Sequence, residues 1–331
     1  MATRLEPGVT MRFSLVIPVY NRPAELADLL ESLTRQTLTD FEVLIIDDGS
    51  TEKAETVAGT YQNRLTLRYF GQPNRGQGFA RNYGFEQATG DYFIVFDSDV
   101  VVPPTYLATV QTYLNHTPLD AYGGPDAASP DFSATQKAIS YAMTSVFTTG
   151  GIRGKTNNAG GVFLPRSFNM GLSKRVFLET GGFAKRNMGE DMELSTRLLR
   201  LGYRVGLIPG AAVYHKRRGT LGAFFGQIIS FGRTRVQLQR QYAIPIKLVH
   251  TFPVVFSLGA FSLPLLSLFC WPLALAGLAT YLIFGLLIWL DAARQEQSAW
   301  VGGLSVLASF TQLSAYGLGF VGEWLQIFPE K

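Results

Sequence analysis

Residues 74–100, NRGQGFARNYGFEQATGDYFIVFDSDV, decide the fold class. Gly78 to Ala88 reads as a helix, and Tyr92 to Phe96 (YFIVF) as a buried strand that stops on Asp97-Ser98-Asp99. Working outward, Arg12 to Val19 is a second strand. It runs into Asn21-Arg22-Pro23, where Asn as N-cap and Pro in the first turn predict a helix with Leu26, Leu29, Leu30 and Leu33 on one face. Glu42 to Ile46 is a third strand, ending on Asp47-Asp48-Gly49-Ser50 before a helical stretch from Glu52 to Tyr61, and Leu65 to Phe70 alternates as a fourth. Strands alternating with helices predict an α/β chain with a mostly parallel sheet flanked by helices. In such sheets the ligand lies beyond the strand carboxyl ends. Pro18 to Asn21, Asp47-Asp48 and Asp97 to Asp99 therefore converge on one rim.

Beyond the sheet, a helix is expected near Thr135 to Thr148, and a second begins at Met188-Gly189-Glu190-Asp191 with Leu194, Leu198 and Leu201 on one face. A strand follows at Tyr203 to Pro209, and Ala211 to His215 leads into a basic segment. Two nucleotide motifs fail. Gly76-Gln77-Gly78 continues to Arg81 where a dinucleotide fingerprint needs Gly or Ala, and Gly150 to Thr156 is one residue short of a phosphate loop.

The chain has 331 residues, 47% of them hydrophobic and 16% charged, which excludes a disordered or collagen-like protein. The apolar excess is local. Leu248 to Leu290 and Gln297 to Gly322 carry no Asp, Glu, Lys or Arg. At about 20 apolar residues per crossing they predict three transmembrane helices near 248–267, 270–290 and 301–321. The net charge of +4 is also local, since Arg204, Lys216, Arg217, Arg218, Arg233, Arg235, Arg240 and Lys247 meet no acidic residue between them. Such a stretch ahead of a first span predicts attraction to membrane lipid and a cytoplasmic near end, and no nucleic-acid motif accompanies it. Thr220 to Arg240 within it reads as an interfacial helix. Met1 to Arg12 lacks a signal-peptide core, and the single Cys270 allows no intrachain disulfide. The expected organisation is an N-terminal tail (1–11), a catalytic domain (12–219), a basic amphipathic segment (220–246) and a membrane domain (247–331). The last would be multi-pass in the inner membrane, with Arg294 inside and the C-terminus outside.

The candidate chemistry is carboxylate chemistry. Asp97 and Asp99 flank Ser98 at a strand end, so both can approach one Mg²⁺ or Mn²⁺ that would also hold a diphosphate. His215 follows a strand and could add a third ligand, or be an ordinary surface or core histidine. Asp191 beside Glu190 is a candidate general base, or else a first-turn acid stabilised by the helix dipole. Asp47 and Asp48 could hydrogen-bond a base or ribose, or simply shape a turn. Asn74, Arg75 and Arg81 could steady phosphates.

Five blocks in order, SLVIPVYNRP (14–23), EVLIIDDGST (42–51), residues 74–100, SFNMGLSKRVFLETGGF (167–183) and GEDMELSTRLLRLGYRV (189–205), resemble the family 2 glycosyltransferases, whose fold is GT-A. The resemblance implies that Pro18, Tyr20 and Asn21 line a nucleotide pocket and that Asp48 contacts the base. It also implies that Asp97 and Asp99 bind metal and donor diphosphate and that Asp191 is the base, and His215 matches a histidine that ligates the metal in some members. Phe168, Asn169 and Met170 match a block beneath the acceptor side, which Glu190 adjoins. The implied enzyme is a membrane-anchored, metal-dependent, inverting transferase moving one sugar from a nucleotide-diphospho-sugar to a hydroxyl of a lipid-linked or cell-envelope glycan. The alternatives are a polyprenyl-phosphate glycosyltransferase and a non-catalytic scaffold of the same fold. Gln237-Leu238-Gln239-Arg240-Gln241 lacks the Trp of the Q-x-x-R-W motif of processive members, which argues against a polymer synthase.

Overall fold

The computed structural model describes residues 11–127, 131–150 and 163–328. In chain order the elements begin with β1 (Phe13–Val19), α1 (Pro23–Leu33), β2 (Phe41–Asp47), α2 (Glu55–Tyr61), β3 (Leu67–Gly71), α3 (Gln77–Gln87) and β4 (Tyr92–Phe96). Next come β5 (Val100–Val101), α4 (Tyr106–His116), β6 (Ala121–Gly123), β7 (Asp126–Ala127), α5 (Ala134–Thr144), α6 (Val146–Thr149), β8 (Asn169–Ser173) and α7 (Lys174–Thr180). The chain closes with α8 (Glu190–Arg200), β9 (Val205–Leu207), β10 (Val213–His215), α9 (Leu221–Tyr242), α10 (Phe252–Phe269), α11 (Trp271–Gln295) and α12 (Ala299–Trp324). Contacts divide these into two units, Met1–Ala127 with Lys155–Lys216, and Ala128–Gly154 with Arg217–Lys331.

The first unit holds a seven-stranded sheet in the order β3-β2-β1-β4-β8-β6-β9. The β3-β2-β1-β4 half is parallel, and β8 lies antiparallel between β4 and β6. Because both faces are covered, β1, β2 and β4 are mostly apolar and buried along their whole length, the exceptions in type being Ser14, Glu42 and Asp47. Alternate residues divide between the faces. Phe13, Leu15 and Ile17 share one core with Leu26 and Leu29 of α1 and with Leu107 of α4, while Val16, Leu44 and Phe93 share another with Ala80 and Phe85 of α3 and with Leu194 and Leu198 of α8.

Chain order reverses at β1, and there the pairing is uneven. The β1–β2 ladder runs to Val19↔Asp47, but the β1–β4 ladder stops at Val16↔Val95. Pro18 has no N–H with which to extend the pairing toward β4. The strands part at their carboxyl ends, at the topological switch point where such sheets bind ligands.

Three local expectations are corrected. Arg22, not Asn21, is the N-cap of α1, because the Asn21 side chain is bonded elsewhere. The helix expected across Thr135 to Thr148 breaks at Ser145, which is extended and caps α6. Leu201 is a C-cap with 61% of its surface exposed, while Leu194 and Leu198 are buried. Gly150 is described, but the rest of the rejected Gly150 to Thr156 motif lies outside the described residues.

In the second unit, α5 belongs with the C-terminal helices rather than with the catalytic domain expected to contain it. The reason is its apolar face, since Ala138, Ile139 and Ala142 share a core with Phe224 of α9 and with Ala308 and Ala315 of α12. Leu248–Phe269, Trp271–Gln295 and Ala299–Trp324 are each long and apolar enough to cross a membrane. They differ in burial, because half of the most apolar stretch of α12 is buried against 17% and 11% for the other two. Part of the basic stretch also has protein partners. Arg233 pairs with Glu323 at 2.8 Å, Arg240 donates to the Trp324 carbonyl while staying exposed, and Arg217 is buried.

Glu42 of β2 staples the first unit. Its Oε1 accepts from Ser14 Oγ of β1 (2.7 Å) and from Thr89 N (2.6 Å), and its Oε2 from Arg68 of β3 (2.7 Å). Burial pushes the carboxyl up, but the donors from Ser14, Thr89 and Arg68 outweigh it and hold it at about 2, below the ordinary 4.5. The stability this adds is present above about pH 4.5 and is lost as pH falls toward 2. Glu42→Gln is expected to lower unfolding free energy at neutral pH by on the order of 2–3 kcal/mol. It should also flatten the loss of stability in that acid window, measured by urea unfolding of the full chain at a series of pH values.

Candidate functional site

The rim at the parallel strand ends is built from loops tied to one another. Asn21 sits at φ +53°, a left-handed conformation that Asn tolerates. Its backbone N donates to Ser50 Oγ (2.9 Å), and its Oδ1 accepts from Thr51 N (2.8 Å) and Glu52 N (3.1 Å). Asn21 thus locks the loop after β1 to the loop after β2. Pro18 is buried in its strand, and Tyr20 between them is half exposed on the rim.

Asp48 is buried, and its carboxylate accepts from Gln72 Nε2 (2.7 Å), Arg75 N (2.8 Å) and Gly76 N (2.7 Å). It folds the 72–76 loop back over β2, leaving the Arg75 side chain exposed. Gly76 is required there. It lies at φ +88°, and a Cβ on it would come 2.2 Å from Arg186 Cγ. Asp47 is held below the usual carboxylate range, because hydrogen bonds from Tyr69 and Ser50 outweigh the upward push of its burial.

Asp97, Ser98 and Asp99 follow β4 directly, with Ser98 buried between the two acids. His215 arrives through a second, three-stranded sheet, β5-β10-β7. The antiparallel register sets His215 opposite Val100, next to Asp99. Its Nε2 lies 3.2 Å from Asp99 Oδ1, its Nδ1 lies 4.0 Å from Asp126, and its ring stacks on Phe168 at 4.9 Å. Donor atoms of Asp97, Asp99 and His215 lie within 4.8 Å of one another. Asp99 Oδ1 and His215 Nδ1 are buried without a hydrogen bond. One carboxylate oxygen each from Asp97 and Asp99 and one imidazole nitrogen, with Asp99 Oδ1 unpartnered, fit a divalent cation of the Mg²⁺ or Mn²⁺ kind. Although Asp99 is buried, His215 and Arg22 (2.7 Å) hold its carboxyl well below the usual range.

Arg81 of α3 overturns one expectation. It has no exposed surface, so it cannot meet a phosphate directly. Instead its guanidinium reaches Asp97 Oδ1 at 2.7 Å and Glu190 Oε1 at 2.8 Å, with the Phe183 ring 5.3 Å away. Burial works against its charge and the two carboxylates favour it, with a net upward shift. Glu190 is likewise buried rather than open to an acceptor, and also accepts from Gln77 Nε2 at 2.7 Å. Burial and the neighbouring Asp191 push its carboxyl up, which Arg81 offsets only in part. Asn169 is a support of the same kind. It is fully buried opposite Phe96 in the β4–β8 ladder, accepting from Tyr106 Oη (2.5 Å) and donating to the Ala211 carbonyl (2.7 Å).

Asp191 stands in the first turn of α8 behind Gly189, which caps the helix at φ +85°. Its side chain keeps 14% exposure. Its Oδ1 accepts from Met192 N (2.7 Å), and Arg166 Nη1 lies 3.6 Å from Oδ2. Sequence reasoning missed Arg22, Gln77 and Arg166 as neighbours of these acids. Arg22 adjoins a recognised block, but its partner lies 77 positions on.

Comparison with known proteins agrees with this architecture. A family model described as glycosyl transferase family 2 matches residues 14–179. The uncharacterized glycosyltransferase YibD of Escherichia coli K12 is 39% identical over 112 residues, covering 34% of this chain and 33% of that protein. Validoxylamine A glucosyltransferase of Streptomyces hygroscopicus subsp. jinggangensis is 38% identical over 129 residues, covering 37% and 29%. The alignments thus span about a third of these relatives' lengths. Mannosyltransferase PcManGT of Pyrobaculum calidifontis, solved with GDP-Man and Mn²⁺, superposes with a TM-score of 0.61 at 18% identity over 97% of this chain and 89% of that one, a likeness of fold. With the family model covering half of the sequence and the GT-A sheet in place, the chain belongs to glycosyl transferase family 2.

Proposed function

We propose that the chain is a membrane-anchored, divalent-metal-dependent inverting glycosyltransferase. It moves one sugar from a nucleotide-diphospho-sugar to a hydroxyl of a lipid-linked or cell-envelope glycan acceptor. The observation that carries this reading is the Asp97, Asp99 and His215 donor set, tied through Arg81 to Glu190, the residue next to Asp191. The superposed mannosyltransferase carries Mn²⁺ with its nucleotide sugar, which supports a similar donor here.

Asp97, Asp99 and His215 would hold the cation. When bound, it supplies Lewis-acid neutralisation of the departing diphosphate. Tyr20 and Arg75 lie on the exposed rim to meet the nucleotide, and Asn21 and Asp48 hold the loops that present them. Asp191 accepts the proton of the acceptor hydroxyl at its Oδ2 while that oxygen attacks the anomeric carbon from the face opposite the leaving group. Arg166 steadies the carboxylate, and the helix N-terminus favours its anionic form.

Asp191→Asn is expected to reduce kcat by roughly 10²–10⁴-fold with little change in donor KM. The assay is a screen of nucleotide sugars for transfer with Mn²⁺ present, and undiminished turnover would remove Asp191 from its role. Product formed on polyprenyl phosphate alone would select that acceptor class instead. Asp99→Asn and His215→Ala should each weaken Mn²⁺ binding by at least about tenfold, the cost of disturbing even an outer-sphere partner, as read by electron paramagnetic resonance of free Mn²⁺. Arg81→Met strands two carboxylates and should destabilise the chain by about 3–5 kcal/mol. Combined with Glu190→Gln, the loss should be smaller than the sum of the single variants, which urea unfolding of all four proteins measures.

A further inference from the structure

Contacts within the second unit bear on which side of a membrane each end of α12 lies. At its start, α12 follows α11 after a three-residue link, and α11 is held by α5 through Tyr141 Oη donating to Asp291 Oδ2 at 2.7 Å. The same α5 shares a core with Ala308 of α12. At the other end, Arg233 of α9 pairs with Glu323 at 2.8 Å, Gln237 donates to Glu323 at 3.1 Å, and Arg240 donates to the Trp324 carbonyl at 2.8 Å. Gly232 of α9 abuts the α12 backbone so closely that a Cβ would come 2.3 Å from the Tyr316 carbonyl oxygen.

Neither α5 nor α9 can cross a bilayer. α5 has 11 residues and reaches little more than half of a ~30 Å hydrocarbon core at about 1.5 Å per residue. α9 carries Arg233, Arg235 and Arg240 among its glutamines. Both segments connect directly in sequence to the catalytic unit, so they stay on its side, and they keep both ends of α12 there with them. Besides Trp324 in its last turn, α12 exposes Trp300, Leu307 and Leu318. At about 100° per residue these three fall along one line of the helix, as they would for a helix lying in a membrane interface. By contrast α10 and α11 are apolar and mostly unburied, up to their shared tip at Phe269, Cys270 and Trp271.

We infer that only the α10–α11 hairpin enters the lipid bilayer, and that α12 lies along the membrane surface on the catalytic side. The C-terminus then shares a face with the catalytic unit, in place of the outside position expected from three crossings. The inference rests on the membrane-anchored reading.

Cys270→Ser yields a cysteine-free chain, into which single cysteines are placed at Lys53, Arg294 and Gln326, all exposed. A membrane-impermeant maleimide is applied to sealed vesicles of each orientation. Lys53→Cys, Arg294→Cys and Gln326→Cys should all be labelled in the same vesicles. Labelling of Gln326→Cys only in vesicles of the opposite orientation overturns the inference and restores three crossings. Release of the protein by an alkaline carbonate wash would instead overturn the anchorage reading, a distinct result obtained before any labelling.

Discussion

A guanidinium with no exposed surface joins the two halves of the site. Arg81 leaves α3 and meets Asp97 at the end of β4 and Glu190 at the start of α8, so one cation ties a helix, a strand end and a second helix. Burying that charge is costly, and two carboxylates offset the cost only while both stay in place. Without Arg81, buried Glu190 would stand beside Asp191 with no guanidinium bonded to it. The spacing between the candidate metal donors and the proposed base thus follows from a buried ion triad, not from any single loop.

The rest of the rim depends on strand pairing. Pro18 ends the ladder between β1 and β4 and opens the crevice, and Asn21 and Asp48 close the loops around it. The short β5–β10 ladder carries His215 back to Asp99 across more than a hundred residues of chain. Arg22 occupies the other side of the same carboxylate, so Asp99 is compensated from two directions before any ligand arrives.

Polar residues taken from motif blocks proved to be of two kinds. Tyr20, Arg75 and Asp97 keep exposed surface, whereas Arg81, Glu190 and Asn169 are sealed beneath them as supports. A motif records that a residue is required, but the same requirement arises from touching a ligand and from holding the residue that touches it. Burial separates the two. The basic stretch before the apolar helices shows the same ambiguity, since Arg233 is paired with Glu323 of α12 whereas Arg240 bonds the Trp324 carbonyl and stays exposed.

Local order was legible from the sequence by itself. The alternation of β1, α1, β2 and β4, the carboxylates at strand ends, the first-turn position of Asp191 and the three apolar helices all rest on periodicity, capping and hydropathy, which neighbouring residues set. What only the tertiary structure decided is the pairing of distant groups: Arg81 with Glu190, Arg22 with Asp99, His215 with Asp99, and Arg233 with Glu323. Burial and ion pairing depend on distance in space, and the sequence states distance only along the chain.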